Sequence, residues 1–140
     1  MSTLKKVLRW VWEFPQCGLG WILTKCYKAK YGYTYKDAGV YSAKKMPGGI
    51  SLGQYIIVNS RYLSKGYEDV IDHEYGHTHD SKWQGPLYLL LTGLPSIGWL
   101  LFRRVYNNFS SKILNYYWFY TERRADKFGG VKRNHEKFLG

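Results

Sequence analysis

A chain of 140 residues fits one domain with a real core and excludes two. Apolar residues make up 45% and charged ones 22%, which is ordinary for a globular protein, while 14 Tyr and 6 Trp are not. The formal charge of +11 favours acidic partners, nucleic acid or an anionic membrane surface, and the two cysteines (Cys17 and Cys26) exclude a disulfide framework.

Residues 1–30 read as an amphipathic helical arm. Leu4, Val7, Leu8, Val11 and Trp12 recur at helical spacing, a break follows at Phe14-Pro15, and a second short helix comes after it. Arg9 and Glu13 interrupt the apolar run and no small-residue cleavage site follows, so a secretory signal is not expected. With so few cysteines, a reducing, cytoplasmic setting is the default. From Tyr31 the pattern turns to Tyr, Val and Thr with breakers, which predicts strands; "ISLGQYIIV" (50–58) is the clearest of them. Ser64 is a cap for a helix from about Tyr67 to Asp80. Residues 83–102 carry no charged side chain, and Gly85, Pro86, Gly93, Pro95 and Gly98 break them into an apolar helical hairpin. A last helix runs from about Ser110 to Phe128 and stops at Gly129-Gly130. The class is α+β, mainly helical with a small antiparallel sheet, in a single domain over 1–140.

The chemistry is concentrated in "IDHEYGHTHD". His73 and His77, four apart on a helix, point two imidazoles one turn apart at a common ion, a geometry that tetrahedral zinc accepts. Glu74 leaves the solvated face that carries Glu68, Asp69, Asp72 and His79, and leans to the apolar side. An unpaired carboxylate there is costly. A polar helix with water-facing histidines is the bland alternative, because H-E-x-x-H is short enough to arise by chance.

A hydrolytic site needs a third protein ligand. His79 lies far around the helix from His77, Asp80 lies a turn further along, and His135 sits in the basic tail. "YTERRADKFGG" offers a better source: Glu122 and Asp126 share the aromatic face of the last helix, while Arg123, Arg124 and Lys127 fall on the other. Two inward acids on a second helix ask for a shared cation.

His73-Glu74-x-x-His77 followed by Glu122-x-x-Ala125-Asp126 resembles the gluzincin pattern of zinc metallopeptidases, especially their smallest single-domain members. The resemblance covers about residues 50–80 and 110–128. It implies a zincin-like domain with the active-site helix packed on a second ligand-bearing helix. It further implies one Zn2+ per chain held by His73, His77 and Glu122, with Glu74 as general base and Asp126 orienting a ligand histidine. The strand before the helix resembles the edge along which gluzincins lay an extended peptide or protein substrate. The family's transition-state-stabilising residue has no fixed counterpart; Tyr116, Tyr117, Tyr120 and His135 are all eligible.

Two other readings compete with peptide hydrolysis. One is a zinc-binding regulatory protein without peptidase activity. The other is a basic nucleic-acid binder stacking bases on Tyr and Trp, against which the basic residues are spread out and no binding motif is present. Association with an anionic membrane surface is compatible with either zinc reading. The interrupting Pro and Gly favour instead a packing of the two apolar segments on each other.

Overall fold

Residues 2–133 are described by a computed structural model, in which a four-stranded mixed sheet is surrounded by helices. The class is α+β. Ser2 opens helix α1 (Thr3–Trp12) by accepting a hydrogen bond from the Lys5 N–H, and α2 (Gln16–Cys26) follows directly after Pro15.

Strands β1 (Lys30–Tyr35), β2 (Ala38–Ala43), β3 (Gly49–Leu52) and β4 (Tyr55–Asn59) lie in the order β1-β2-β4-β3. The single strand expected over 50–58 is instead a hairpin. Gly53, at φ 63°, supplies the left-handed turn that reverses the chain before Tyr55. Because β3 takes one side of β4, the other side of β4 pairs with β2, and that pairing is parallel. The sheet is therefore mixed rather than antiparallel.

Period-two alternation splits β4 between two layers. Ile56 and Val58 join Val40 and Ile71 on one face, whereas Ile57 joins Ala43 and Met46 against Leu23 and Tyr27 on the other. Helix α3 (Glu68–Gln84) thus covers one face and α2 the opposite one. Ser64 does not cap α3; it ends a single 3-10 turn (Ser60–Leu63). The first turn of α3 carries Glu68 and Asp69 instead, where the positive end of the helix favours acids.

No hairpin forms within 83–102. The chain breaks once, at Gly85 (φ 53°) and Pro86, and then follows one helical path through a π turn (Leu89–Gly93) into α4 (Leu94–Phe109). Pro95 does not break it: the Leu91 carbonyl, four residues before, accepts from the Tyr120 hydroxyl (2.9 Å). Helix α5 (Tyr120–Gly129) is shorter than the expected 110–128. Side chains of α4 hold the irregular segment before it, which includes a 3-10 turn (Tyr116–Trp118): the Trp99 indole donates to the Tyr116 carbonyl (2.8 Å) and Arg103 to that of Leu114 (2.7 Å). Gly130, at φ 77°, ends α5 in a left-handed cap.

The two apolar segments do not bury each other. Leu4, Val7, Leu8 and Val11 on α1 and Leu90, Leu94 and Leu101 on the later path are all exposed. A cleft opens between α2 and this path instead.

Candidate metal centre and cleft

Helices α3 and α5 cross at close range because two glycines remove the side chains between them. A β-carbon on Gly76 would stand 1.8 Å from the Ala125 carbonyl oxygen, and one on Gly129 would stand 2.0 Å from that of Asp72. Glycine inside a helix costs about 1 kcal/mol relative to alanine, so Gly76 needs a packing reason, and this contact is it.

The crossing brings four polar side chains of the two helices together in a buried cluster. His73, His77 and Glu122 each offer a ligand atom, and these atoms lie within 4.8 Å of one another. The Glu122 Oε2 atom is 3.0 Å from Nε2 of His73 and 3.4 Å from Nε2 of His77. His73 donates from Nδ1 to Asp126 Oδ1 at 2.6 Å, which turns its Nε2 towards Glu122. This group could hold a metal ion.

Burial alone would lower the His73 pKa, but hydrogen bonds to Asp126 and Glu122 outweigh it and raise the imidazole to about 9. Burial likewise pushes Glu122 up, yet the His77 and His73 imidazoles win and hold its carboxyl well below the ordinary range. The remaining oxygen of Glu122 is oriented as well. Thr121 donates to its Oε1 (3.2 Å), and Ser96 of α4 lies 2.8 Å from the Thr121 hydroxyl.

Glu74 projects from α3 beside the cluster and reaches β3. A β-carbon on Gly49 would meet Glu74 Oε1 at 2.6 Å, so the absence of one lets the strand pass over the carboxylate. Burial raises the Glu74 pKa, with the two histidines opposing.

Glu74, His77 and Glu122 form one wall of a cleft of about 570 Å³. The edge strand β3 contributes Gly49–Leu52, and apart from Tyr88, Ser96 and Tyr116 the rest of the lining is apolar, with Leu19 on one side and Leu90, Leu94 and Ile97 on the other. Tyr88 pins the helical path to the strand by donating to the Ser51 carbonyl (3.1 Å).

Of the residues weighed as a third ligand, Asp80 is buried in an ion pair with Arg124 (2.6 Å) and His79 stacks on Phe128 at 4.0 Å. His135 lies outside the described residues. Among the tyrosines, Tyr116 lines the cleft and hydrogen-bonds Glu122, and burial raises its pKa, so the phenol stays protonated. Tyr117 packs its ring edge-on against His73, and Tyr120 donates to the Leu91 carbonyl.

Arg123 and Arg124 do turn away from the cluster, towards Trp118 and Asp80. Arg133, which the sequence did not single out, reaches back from beyond α5 to Asp126 (2.5 Å) and covers the Tyr117 ring. An inward Asp126 with no cationic neighbour on its own helix face was the available signal for such a partner. Comparisons with protein-family models, with curated proteins and with solved structures give no match to this chain.

Proposed function

We propose that the protein is a zinc metallopeptidase of gluzincin type, with a zincin-like arrangement of α3, α5 and the edge strand. One observation carries this reading: a single Glu122 oxygen lies 3.0 and 3.4 Å from the two histidine Nε2 atoms. Donors about 2.1 Å from one ion at tetrahedral angles stand about 3.4 Å apart, close to the distances at which the Glu122 oxygen stands from the two histidine nitrogens. Two imidazoles and one carboxylate are also the donor set of known catalytic zinc sites, which keep a fourth position for water.

When bound, zinc supplies a polarised scissile carbonyl and a water whose pKa is lowered towards neutrality. Glu74 accepts the proton of the attacking water on its carboxylate and returns it to the leaving amine. Its raised pKa keeps it a stronger base than a solvated glutamate. Asp126 holds the His73 ring in the tautomer that frees Nε2. Tyr116 donates its hydroxyl proton as a hydrogen bond to the developing oxyanion. The substrate lies extended along β3, taking main-chain hydrogen bonds in the manner of strand addition.

The test pairs metal content with cleavage. The purified chain is expected to hold about one zinc, lost in His77→Ala and in Glu122→Ala. Glu74→Gln is expected to keep zinc and thermal stability while cleavage of a mixed peptide library falls by about 10²- to 10⁴-fold. Equal cleavage by the variant and the parent would remove Glu74 from the mechanism. Zinc binding without cleavage by the parent would favour the regulatory reading.

A further inference from the structure

Helix α1 is attached to the body by the side that an amphipathic helix normally shows to water. Arg9 faces inward, ion-paired with the buried Glu13 and with Asp37 (3.2 Å), and its guanidinium also donates to the Asp37 carbonyl (2.9 Å). Leu4, Leu8 and Val11 face outward and are 67%, 60% and 65% exposed. No residue of α1 is both apolar and buried. An amphipathic helix gains stability by covering its apolar stripe, so this orientation leaves the stripe to something outside the chain.

A second stripe runs along the path from Leu87 to the end of α4. Leu87, Leu90, Leu94, Ile97, Leu101 and Val105 recur at three- and four-residue intervals and are all exposed. The cleft lies between α2, which follows α1 directly, and the second stripe; its walls include the exposed Leu19 on the α2 side and Leu90, Leu94 and Ile97 on the other. Trp12, Trp21 and Trp83, all more than half exposed, lie on or beside the same elements. Such amphipathic rings favour the boundary between apolar and wet surroundings.

The charge pattern selects the partner. From Ser81 to Tyr120 and from Phe14 to Lys36 the chain contains no acidic residue, and of the two acids that meet α1, Glu13 is buried against Arg9 and Ser81 while Asp37 is ion-paired with Arg9 and Lys82. Exposed cations, Lys5, Lys25 and Arg104, sit beside the apolar residues. A second copy would bring like charges together on a chain that already carries +11. Among the described residues no helix is long and apolar enough to cross a membrane.

We propose that α1, the start of α2 and the Leu87–Phe109 path form one docking surface for an anionic lipid bilayer, lying in its interface with the cleft mouth opening onto the lipid. Apolar side chains enter the acyl boundary and the flanking cations meet the headgroups. The cleft then receives apolar segments held at the membrane surface. The docking itself does not depend on the metal or on catalysis.

Vesicle co-sedimentation of the full chain tests this, with phosphatidylcholine vesicles containing or lacking phosphatidylglycerol. Binding is expected to the anionic vesicles and to be far weaker on the neutral ones. Lys5→Gln combined with Arg104→Gln is expected to lower partitioning by about 25-fold, taking roughly fivefold per cation. Leu8→Gln combined with Leu101→Gln is expected to lower it by at least about tenfold, and the exposure of both sites should leave the melting temperature and zinc content unchanged. Failure to bind anionic vesicles would overturn the proposal. So would binding that the Leu8/Leu101 pair leaves intact, since attraction would then be electrostatic alone. A dimer that this pair dissociates, without vesicle binding, would assign the surface to a second copy.

Discussion

Gly76 lies so close to Ala125 that their helices touch backbone to backbone, with space for no side-chain atom between them. His73 and His77 flank this point on α3, and Glu122 and Asp126 flank it on α5. The contact therefore sets the distance across which the His73, His77 and Glu122 side chains meet. Gly76→Ala must push against main chain, which cannot rotate aside, and is expected to cost about 3 kcal/mol in denaturant unfolding. Surviving folded protein is expected to bind zinc poorly. An alanine variant with unchanged stability and zinc content would show that the helices can separate freely.

Gly49→Ala has a different expected outcome, because the clash is with the flexible end of Glu74. The added methyl displaces the carboxylate from its position under β3 while leaving the ligands alone. Zinc content and melting temperature are expected to hold, with peptide cleavage falling by about tenfold or more, part of the effect of removing the base. Loss of zinc in this variant would mean that Glu74 supports the ligand set directly.

Asp126 accepts from both His73 and Arg133. Asp126→Asn keeps the shape but weakens its hold on the imidazole, and zinc affinity is expected to drop by about 10- to 100-fold, read by competition with a chelator. Arg133→Gln leaves the Asp126–His73 contact in place and is expected to do less. An Arg133→Gln effect larger than that of Asp126→Asn would reverse the assigned order of importance.

Asp37 ties three parts of the fold together by accepting from Arg9, Lys82 (2.6 Å) and the Tyr75 hydroxyl (3.0 Å). Burial pushes its carboxyl up, but Lys82 and Arg9 more than offset this and leave it below the ordinary range. Its contribution is thus complete above the unfolded value of about 3.9 and is lost as the pH falls through the lower folded value. Asp37→Asn is expected to lower the melting temperature at pH 7 and to flatten its fall below pH 4. A variant whose acid limb matches the parent's would place that loss in other carboxylates.

The meeting of His73, His77 and Glu122 was legible because four-residue spacing encodes a shared helix face without any knowledge of the rest of the chain. His73 with His77 and Glu122 with Asp126 each occupy such a pair, and an inward acid on a polar helix is unusual enough to notice. Tyr116 could not be distinguished from Tyr117 and Tyr120, because it lies before α5, in a segment whose course is set by Trp99 and Arg103 from another helix. The mixed sheet was hidden for a similar reason: which side of β4 remains for β2 depends on the Gly53 turn, not on any strand pattern. The orientation of α1 was the least legible feature. Periodicity shows that a helix has an apolar stripe, but the inward turn of Arg9 depends on Asp37 and Glu13, and its reach to Asp37 is tertiary.

The path from Pro86 to Phe109, which supplies the cleft wall as far as Leu100, is inserted between the helix that carries the histidines and the helix that carries Glu122. In the proposed reading, reaction chemistry and substrate choice are thereby written on separate, exchangeable stretches of one short chain. A graft that respects the anchors at Tyr88, Ser96 and Trp99 can rebuild the wall for another substrate while the α3–α5 crossing stays as it is. For a designer, the fold is a fixed socket with a replaceable rim.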